Sequence, residues 1–484
     1  MLKIIIIAAI LYPFCISGQT IIEPLYDDGF HNTNDYFLGK PGADDVRIPV
    51  SDSSKSYFSR KLFHEHFIYL DKPDFKLAIN PLLNLYAGGS DKKNNTIYRN
   101  TRAVNVKGAI GEKVVFQSSF YETQLNAPVW FDKYRSNYGV LPGETNPKGF
   151  GDDGYDIGSV YGSFFVKQSL QNMKMQFRFG YDNHFIGDGY RSLFLSDFSL
   201  PFLFGSLQLK YKEIEYLHLT ASLQNPNFGN VLNIETTQRP STAPYQKKTM
   251  SLHYLRWNIS SKVSLGFFEG TVFRVADTAE RKFSLNYINP VPAVNLAMYG
   301  LDRLNNVMIG SDLSVDWSPY LSTYFQWLQD TKNPEGIALL ASARFRHPNW
   351  KFFLEYTHTG NEVFSHRDGR QSYTHYNQPL SHPSGAGSDE WITGAGYRFN
   401  NFEAETEVIL QRKHQDFDFS ISSDSGAKST HRFYEGTLRY IFNPLTRLQV
   451  FATYIMYHGS DNTEQFFHAG IKTQLRREYM KVTP

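Results

Sequence analysis

Few residues of this chain have the types and spacing that chemistry needs. The densest group lies at residues 180–196, which read G-Y-D-N-H-F-I-G-D-G-Y-R-S-L-F-L-S. Gly187 and Gly189 permit the left-handed backbone of tight turns. They bracket Asp188 and precede Tyr190 and Arg191, with Asp197 a second carboxylate further on. Pairing of Arg191 with Asp188 or Asp197 would hold the stretch as an ordered structural loop. The plainer alternative is a glycine-punctuated surface loop with ordinary charges. No Lys-Ser or Lys-Thr follows, so the phosphate-cradling pattern is missing. A second group sets Trp130, Phe131, Tyr134 and Tyr138 among Asp132, Lys133 and Arg135. Aromatic faces beside hydrogen-bonding groups suit sugar rings, which makes Trp130, Tyr134 and Tyr138 a candidate glycan-binding loop. The same set also suits packing on a barrel rim. His64-Glu65-His66 spaces its imidazoles at i and i+2, which do not share a helical face. Asp152, Asp153 and Asp156 lack the alternating spacing and distal Glu of an EF-hand loop. Neither is read as a metal site. His253, His358, His431 and His468 lie in strands, and linear sequence registers none of them with a partner. The reading is therefore no catalytic residue, no metal, no cofactor and no enzyme.

The elements that must carry these groups show a rhythm. From about Asp74 onward, segments of alternating apolar and polar residues come in pairs, each pair closed by a tight turn and linked to the next by a longer loop. In the strand starting at Phe402, Ala404, Thr406, Val408 and Leu410 take one face, and Glu403, Glu405 and Glu407 take the other. Three carboxylates cannot sit in a strand buried on both faces; they fit a wall with lipid on one side and a watery lumen on the other. Tight turns at Gly111-Glu112-Lys113, 169–172, 213–215, 259–261, Ser318-Pro319, 347–349, Asn400-Asn401 and 443–445 fall at every second connection. That places both termini in the periplasm. It also places the long loops, near 125–157, 182–203, 225–248, 273–305 and 359–388, at the cell exterior. The pattern predicts an all-β fold: a transmembrane outer-membrane β-barrel of about eighteen antiparallel strands with a short N-terminal periplasmic segment.

Composition agrees. The 484 residues are 41% hydrophobic and 16% aromatic, and mean hydropathy is −0.41, which excludes a polytopic helical membrane protein. A barrel needs only every second strand residue to face lipid, and its aromatics serve the two interfacial girdles. Net charge is +2 with no basic run, so no nucleic-acid partner is expected. Residues 1–18 read as a signal peptide, with Lys3 ahead of an apolar stretch from Ile4 to Tyr12 too short to span a bilayer. The single cysteine, Cys15, falls inside it. Phe14 is not the small residue that lipidation at Cys15 would require, and the mature chain has neither disulfides nor thiolate sites. Residues 19–73 form the periplasmic segment. Phe58, Leu62, Phe63 and Phe67 there suggest a short helix capped by Ser53 or Ser54. The barrel is expected over 74–476, with a C-terminal tail at 477–484.

The run Phe185-Ile186-Gly187-Asp188-Gly189-Tyr190-Arg191-Ser192-Leu193, with Leu195-Ser196-Asp197, resembles the gliding motility protein RemB family. That family is related in architecture to the Wzi capsule-assembly barrels. Val140-Leu141-Pro142-Gly143-Glu144, Gly154-Tyr155-Asp156, Ser118 to Glu122, Gly266-Phe267-Phe268-Glu269 and Asn286-Tyr287-Ile288-Asn289-Pro290 are similar to its other stretches, over roughly residues 60–330. Tyr181-Asp182 departs from its pattern. The resemblance implies a cell-surface outer-membrane barrel tied to gliding motility or to surface polysaccharide and capsule handling. Its expected partners are outer-membrane lipid and either polysaccharide or motility-machinery proteins. It implies no catalytic residues. The competing reading is a porin-like channel or transporter for small solutes.

Overall fold

The computed structural model describes residues 56–225, 246–273, 285–299, 305–333, 335–366, 371–414, 428–443, 446–460 and 462–482. Eighteen strands form one closed antiparallel barrel. In chain order they are β1 (Phe75–Ser90), β2 (Lys93–Ile110), β3 (Val114–Asn126), β4 (Gly154–Leu170), β5 (Met173–Asp182), β6 (Phe202–Tyr211), β7 (Ile214–Asn225), β8 (Gln246–Asn258), β9 (Val263–Phe273), β10 (Asn306–Asp316), β11 (Leu321–Asp330), β12 (Ile337–His347), β13 (Trp350–Thr359), β14 (Ser388–Phe399), β15 (Phe402–Lys413), β16 (Ser429–Asn443), β17 (Leu448–His458) and β18 (Thr463–Lys472). Each pairs with its neighbour in sequence, and β1 closes on β18 through Asn84↔Lys472 to Ser90↔Phe466. Closure joins the two ends of the eighteen-strand wall, as hydrocarbon requires, while Ile68–Lys72 forms a short extra strand that pairs with β1 at the turn end.

The expected tight turns all fall at one end of the barrel, the turn end; the turn at 443–445 lies partly outside the described residues. An aromatic row marks this end. Tyr211, Trp257, Trp317, Tyr320 and Trp350 point outward and are exposed, as an interfacial girdle requires. Between the ends the outward faces are mostly apolar, as on β15, where Phe402, Ala404 and Val408 point out and Glu403, Glu405 and Glu407 point in. β1, β2 and β4 are the longest described strands, at 16, 18 and 17 residues.

A helix, α1 (Tyr57–Phe63), precedes the barrel. Its cap is Ser56, whose hydroxyl accepts from the Ser59 N–H at 3.4 Å, rather than Ser53 or Ser54. It rests at the turn end against β16, with Asn443 donating to the Leu62 carbonyl at 3.0 Å. Residues 1–55, including the expected signal peptide, lie outside the described residues.

Candidate functional site

The loop-end half of the lumen is largely filled by chain rather than by water. Four pieces of chain fill it: the connection 183–201, the described parts 360–366 and 371–387 of a second connection, the helix α2 (Val129–Tyr138) and the tail 473–482. One apolar cluster joins Ile186, Leu193, Phe194 and Leu195 of the first connection to Val363, Phe364, Tyr373 and Leu380 of the second and to wall residues of β6–β12. Another sets Trp130, Phe131 and Leu141 against wall residues of β1–β4 and β13–β18. A third joins Tyr134, Val140 and Phe198 to Tyr479 and Val482 of the tail. These clusters draw on every barrel strand except β5, whose Asp182 meets Arg476 of the tail instead.

The backbone of the first connection is pinned internally, with the Ile186 N–H donating to the Leu195 carbonyl at 2.8 Å, but its charged side chains find their partners elsewhere. Arg191 does not pair with Asp188 or Asp197. Its Nε meets Glu390 on β14 at 3.2 Å, and both side chains are buried. Asp188 binds Arg256 on β8 at 2.8 Å, and Asp197 accepts from Tyr479 of the tail at 2.5 Å. The physical reason is direction: a segment threaded through a lumen sends neighbouring side chains to different parts of the wall, so Arg191 meets its counter-charge on β14 and Asp188 on β8. Burial opposes the Arg191 charge, and Glu390 more than offsets that, so the guanidinium pKa is raised. Glu355 on β13 accepts the backbone N–H groups of Tyr190 and Arg191 at 2.7 and 2.8 Å. The Tyr190 ring stacks on Phe353 at 4.7 Å, and its hydroxyl donates to Glu407 at 2.7 Å. Burial is the main cause that pushes this phenol up to about 12, with Glu407 adding to it.

Both glycines of the motif have steric roles. Gly187 adopts φ +132°, and a Cβ there would lie 2.9 Å from the Tyr324 hydroxyl. At Gly189 a Cβ would meet the Arg191 carbonyl at 2.5 Å and the Glu355 carboxylate at 2.9 Å. The glycines therefore let the backbone reach the wall carboxylate that anchors it.

Trp130 and Tyr134 of the candidate glycan-binding loop lie on α2 and are buried, with Trp130 at 1% exposure. The Trp130 indole donates to the Met480 carbonyl at 2.9 Å. Tyr138 is half-buried, with its ring 4.5 Å from that of Tyr134. Their types suit a sugar, but the faces of Trp130 and Tyr134 are spent on the lumen core.

The tail was not legible as part of any site. Beyond β18 it turns back into the lumen, where Arg476, Glu478 and Lys481 each meet a counter-charge. Arg476 binds Asp182 at 2.5 Å, beside Arg178 at 2.6 Å. Glu478 binds Arg99 at 3.3 Å. Lys481 bridges Glu407 and Glu435 at 2.7 and 2.8 Å. Those two carboxylates stand directly opposite each other on β15 and β16, so the cation relieves a like-charge pair. Burial disfavours the ammonium, yet the two glutamates raise its pKa.

Recesses remain among the described residues, two of them beside the plug. The larger, about 1200 Å³ and open to solvent, runs from the underside of the plug at Gly189 and Tyr190 to Arg346 and Lys472 at the turn end. It carries Glu405, Glu407 and Glu435 opposite Arg344 and Arg439. The smaller, about 690 Å³, is lined by Tyr121, Tyr161 and Tyr479 with Arg99, Glu144, Asp197 and Glu478. Aromatic faces beside fixed carboxylates and guanidinium groups are the chemistry of carbohydrate recognition, here in a different place from α2. No group of three or more metal-ligating side chains occurs among the described residues.

No family model matches this chain, and no curated protein matches it by sequence. Solved structures do. The chain is similar to Wzi of Escherichia coli, described as an outer-membrane protein involved in group 1 capsule assembly and a carbohydrate-binding β-barrel. Identity is 12%, with 84% of this chain and 85% of that one covered, at a TM-score of 0.53. It also matches OccK8 (OprE) of Pseudomonas aeruginosa at 12% identity over 83% and 98% of the two chains, with a TM-score of 0.47. At such identities the likeness to Wzi establishes a shared outer-membrane barrel fold.

Proposed function

We propose that this chain is a non-enzymatic surface protein of the outer membrane that handles surface polysaccharide or serves gliding motility, binding at its loop end. In this reading residues 1–18 direct export, the turn end faces the periplasm and the loop end faces outward, the common arrangement of such barrels. The observation that carries the proposal is the packed lumen. A channel for solutes needs a continuous aqueous path, and four pieces of chain close this one with apolar clusters and buried ion pairs. What remains for function at the loop end is binding at a rigid surface, and the smaller recess carries tyrosines, an arginine and carboxylates that suit glycans. Wzi, a carbohydrate-binding barrel in its own right, supports this direction, and the resemblance of residues 185–197 to the RemB family supports the motility branch.

Deleting the gene and scoring surface spreading, capsule retention and small-solute uptake in the same strain separates the readings. Loss of spreading or of capsule with normal uptake supports the proposal. Loss of uptake alone would replace it with the channel reading.

A further inference from the structure

On most of the barrel the outward face is apolar and the inward face polar. On β7 and β8 the order is reversed. Leu217, Leu219 and Leu223 of β7 and Leu252 of β8 pack inward on the plug. Strand alternation then turns Tyr216, His218 and Thr220 of β7 and Ser251 and His253 of β8 to the outside. On β9, Phe268 points inward and stacks on Phe194 at 4.5 Å, so Glu269 points out as well. An uncovered carboxylate and two imidazoles on a lipid-facing wall would be costly.

They are covered. Residues 285–299, from the connection between β9 and β10, lie along this part of the outer wall. They comprise a 3-10 turn (Leu285–Ile288) and a short helix, α3 (Val294–Tyr299). Wall side chains bond four backbone groups of this segment. The Tyr216 hydroxyl donates to the Pro290 carbonyl at 2.5 Å, and the Thr220 hydroxyl to the Tyr287 carbonyl at 2.5 Å. Glu269 accepts the N–H groups of Ala293, at 2.9 Å, and Leu296. Within the segment, the Asn289 side chain accepts the Val291 N–H at 3.1 Å. Pro290 and Pro292 have no N–H to satisfy. Under this cover His253, Glu269 and Thr271 are buried.

The other side of the segment is apolar. Ile288, Val291 and Met298 are 45%, 55% and 53% exposed, and residues 283–301 contain no charged side chain. The segment reaches Tyr216, which is two residues along β7 from Ile214, next to the aromatic row at the turn end. Its depth is therefore that of the bilayer, and its exposed face continues the lipid-facing surface of the wall around it.

We propose that residues 285–299 form a membrane-embedded apron whose partner is the acyl-chain hydrocarbon of the bilayer: an outer loop that lies on the wall within the membrane instead of projecting into water. Non-helical backbone at membrane depth must turn its polar groups onto protein or water. The reversed polarity of β7, β8 and β9 gives the segment a polar wall to lie against, which accounts for polar residues on a lipid-facing wall.

The mature chain contains no cysteine if cleavage removes Cys15, so single-cysteine probes are clean. Val291→Cys and Met298→Cys, each carrying a nitroxide, are reconstituted as full mature chain in vesicles of dioleoylphosphatidylcholine and dioleoylphosphatidylglycerol. Phe267→Cys on the outward face of β9 is the lipid reference. The proposal expects strong collision with dissolved oxygen and weak collision with a water-soluble nickel chelate at both positions, matching the reference. Strong collision with the chelate would make the segment an aqueous loop and overturn the proposal. Weak collision with both reagents would mean that protein covers the segment and would overturn it equally. In the Glu269→Ala background the label at 298 should shift toward the chelate as the segment lifts; an unchanged signature would show that the wall carboxylate does not hold it.

Discussion

Replacing Arg191 by Met tests whether the motif loop is latched to the wall. The substitution removes the guanidinium from Glu390, with which it shares a buried site on β14. His382 remains 2.9 Å from the same carboxylate, and Glu355 still accepts the two backbone N–H groups. Breaking a buried pair from one side costs about 3–5 kcal/mol, because the remaining charge is uncompensated, whereas replacing both partners is often close to neutral. An exposed pair would contribute only about 0–1 kcal/mol. With tenfold per 1.4 kcal/mol, the open population of the loop should rise by roughly 10²–10⁴. Proteolysis of the folded protein in vesicles follows that population when reclosing is faster than cleavage. Arg191→Met should therefore be cut within residues 183–201 about a hundredfold faster or more, with the barrel still assembled, and Arg191→Met/Glu390→Gln should recover most of the resistance. Refutation is a single variant cut at the parent rate, or a double variant as labile as the single.

Three further outcomes follow from the same packing. Removing residues 476–484 withdraws Arg476, Arg477 and Lys481 and leaves Glu407 and Glu435 facing each other, so the truncated barrel should conduct in a planar bilayer with a preference for cations. Loop closure should weaken in acid. Burial is the main cause that holds His375 down to about 3 from 6.5, with Lys248 adding to it and the Pro201 carbonyl opposing. The closed state therefore stays neutral there while the opened loop takes a proton, and closure is fully retained above about pH 6.5 and lost progressively toward 3, by at most about tenfold per pH unit. Proteolysis of residues 371–387 should accelerate over that window, and His375→Gln should flatten the dependence. An epitope tag at Asn400-Asn401 should be hidden on intact cells and one near Gly369, outside the described residues, exposed; the reverse would invert the orientation.

The wall is legible in the sequence because lipid imposes a strict period of two and tight turns punctuate it. Glu403, Glu405 and Glu407 could face only inward, and they do. The same rule misleads on β7, where Leu217, Leu219 and Leu223 would be placed on lipid. Their inward position depends on the plug, which is distant in sequence. The partners of Arg191 and Asp188 were illegible for a related reason. A local reading pairs charges close along the chain, while the barrel brings Glu390 and Arg256 to them through registry. Trp130 and Tyr134 have the residue types of a sugar platform, and only the depth of α2 shows that they are core. The tail gives no periodic signal at all, since each of its contacts is made singly with a different strand or loop.

The central claim is that the barrel binds and does not conduct, and single-channel recording of the full mature chain tests it most directly. In a planar bilayer the intact protein should show no steady conductance above baseline, while the tail-truncated chain, measured alongside, shows that insertion has occurred. Steady open-channel current from the intact protein would contradict the account.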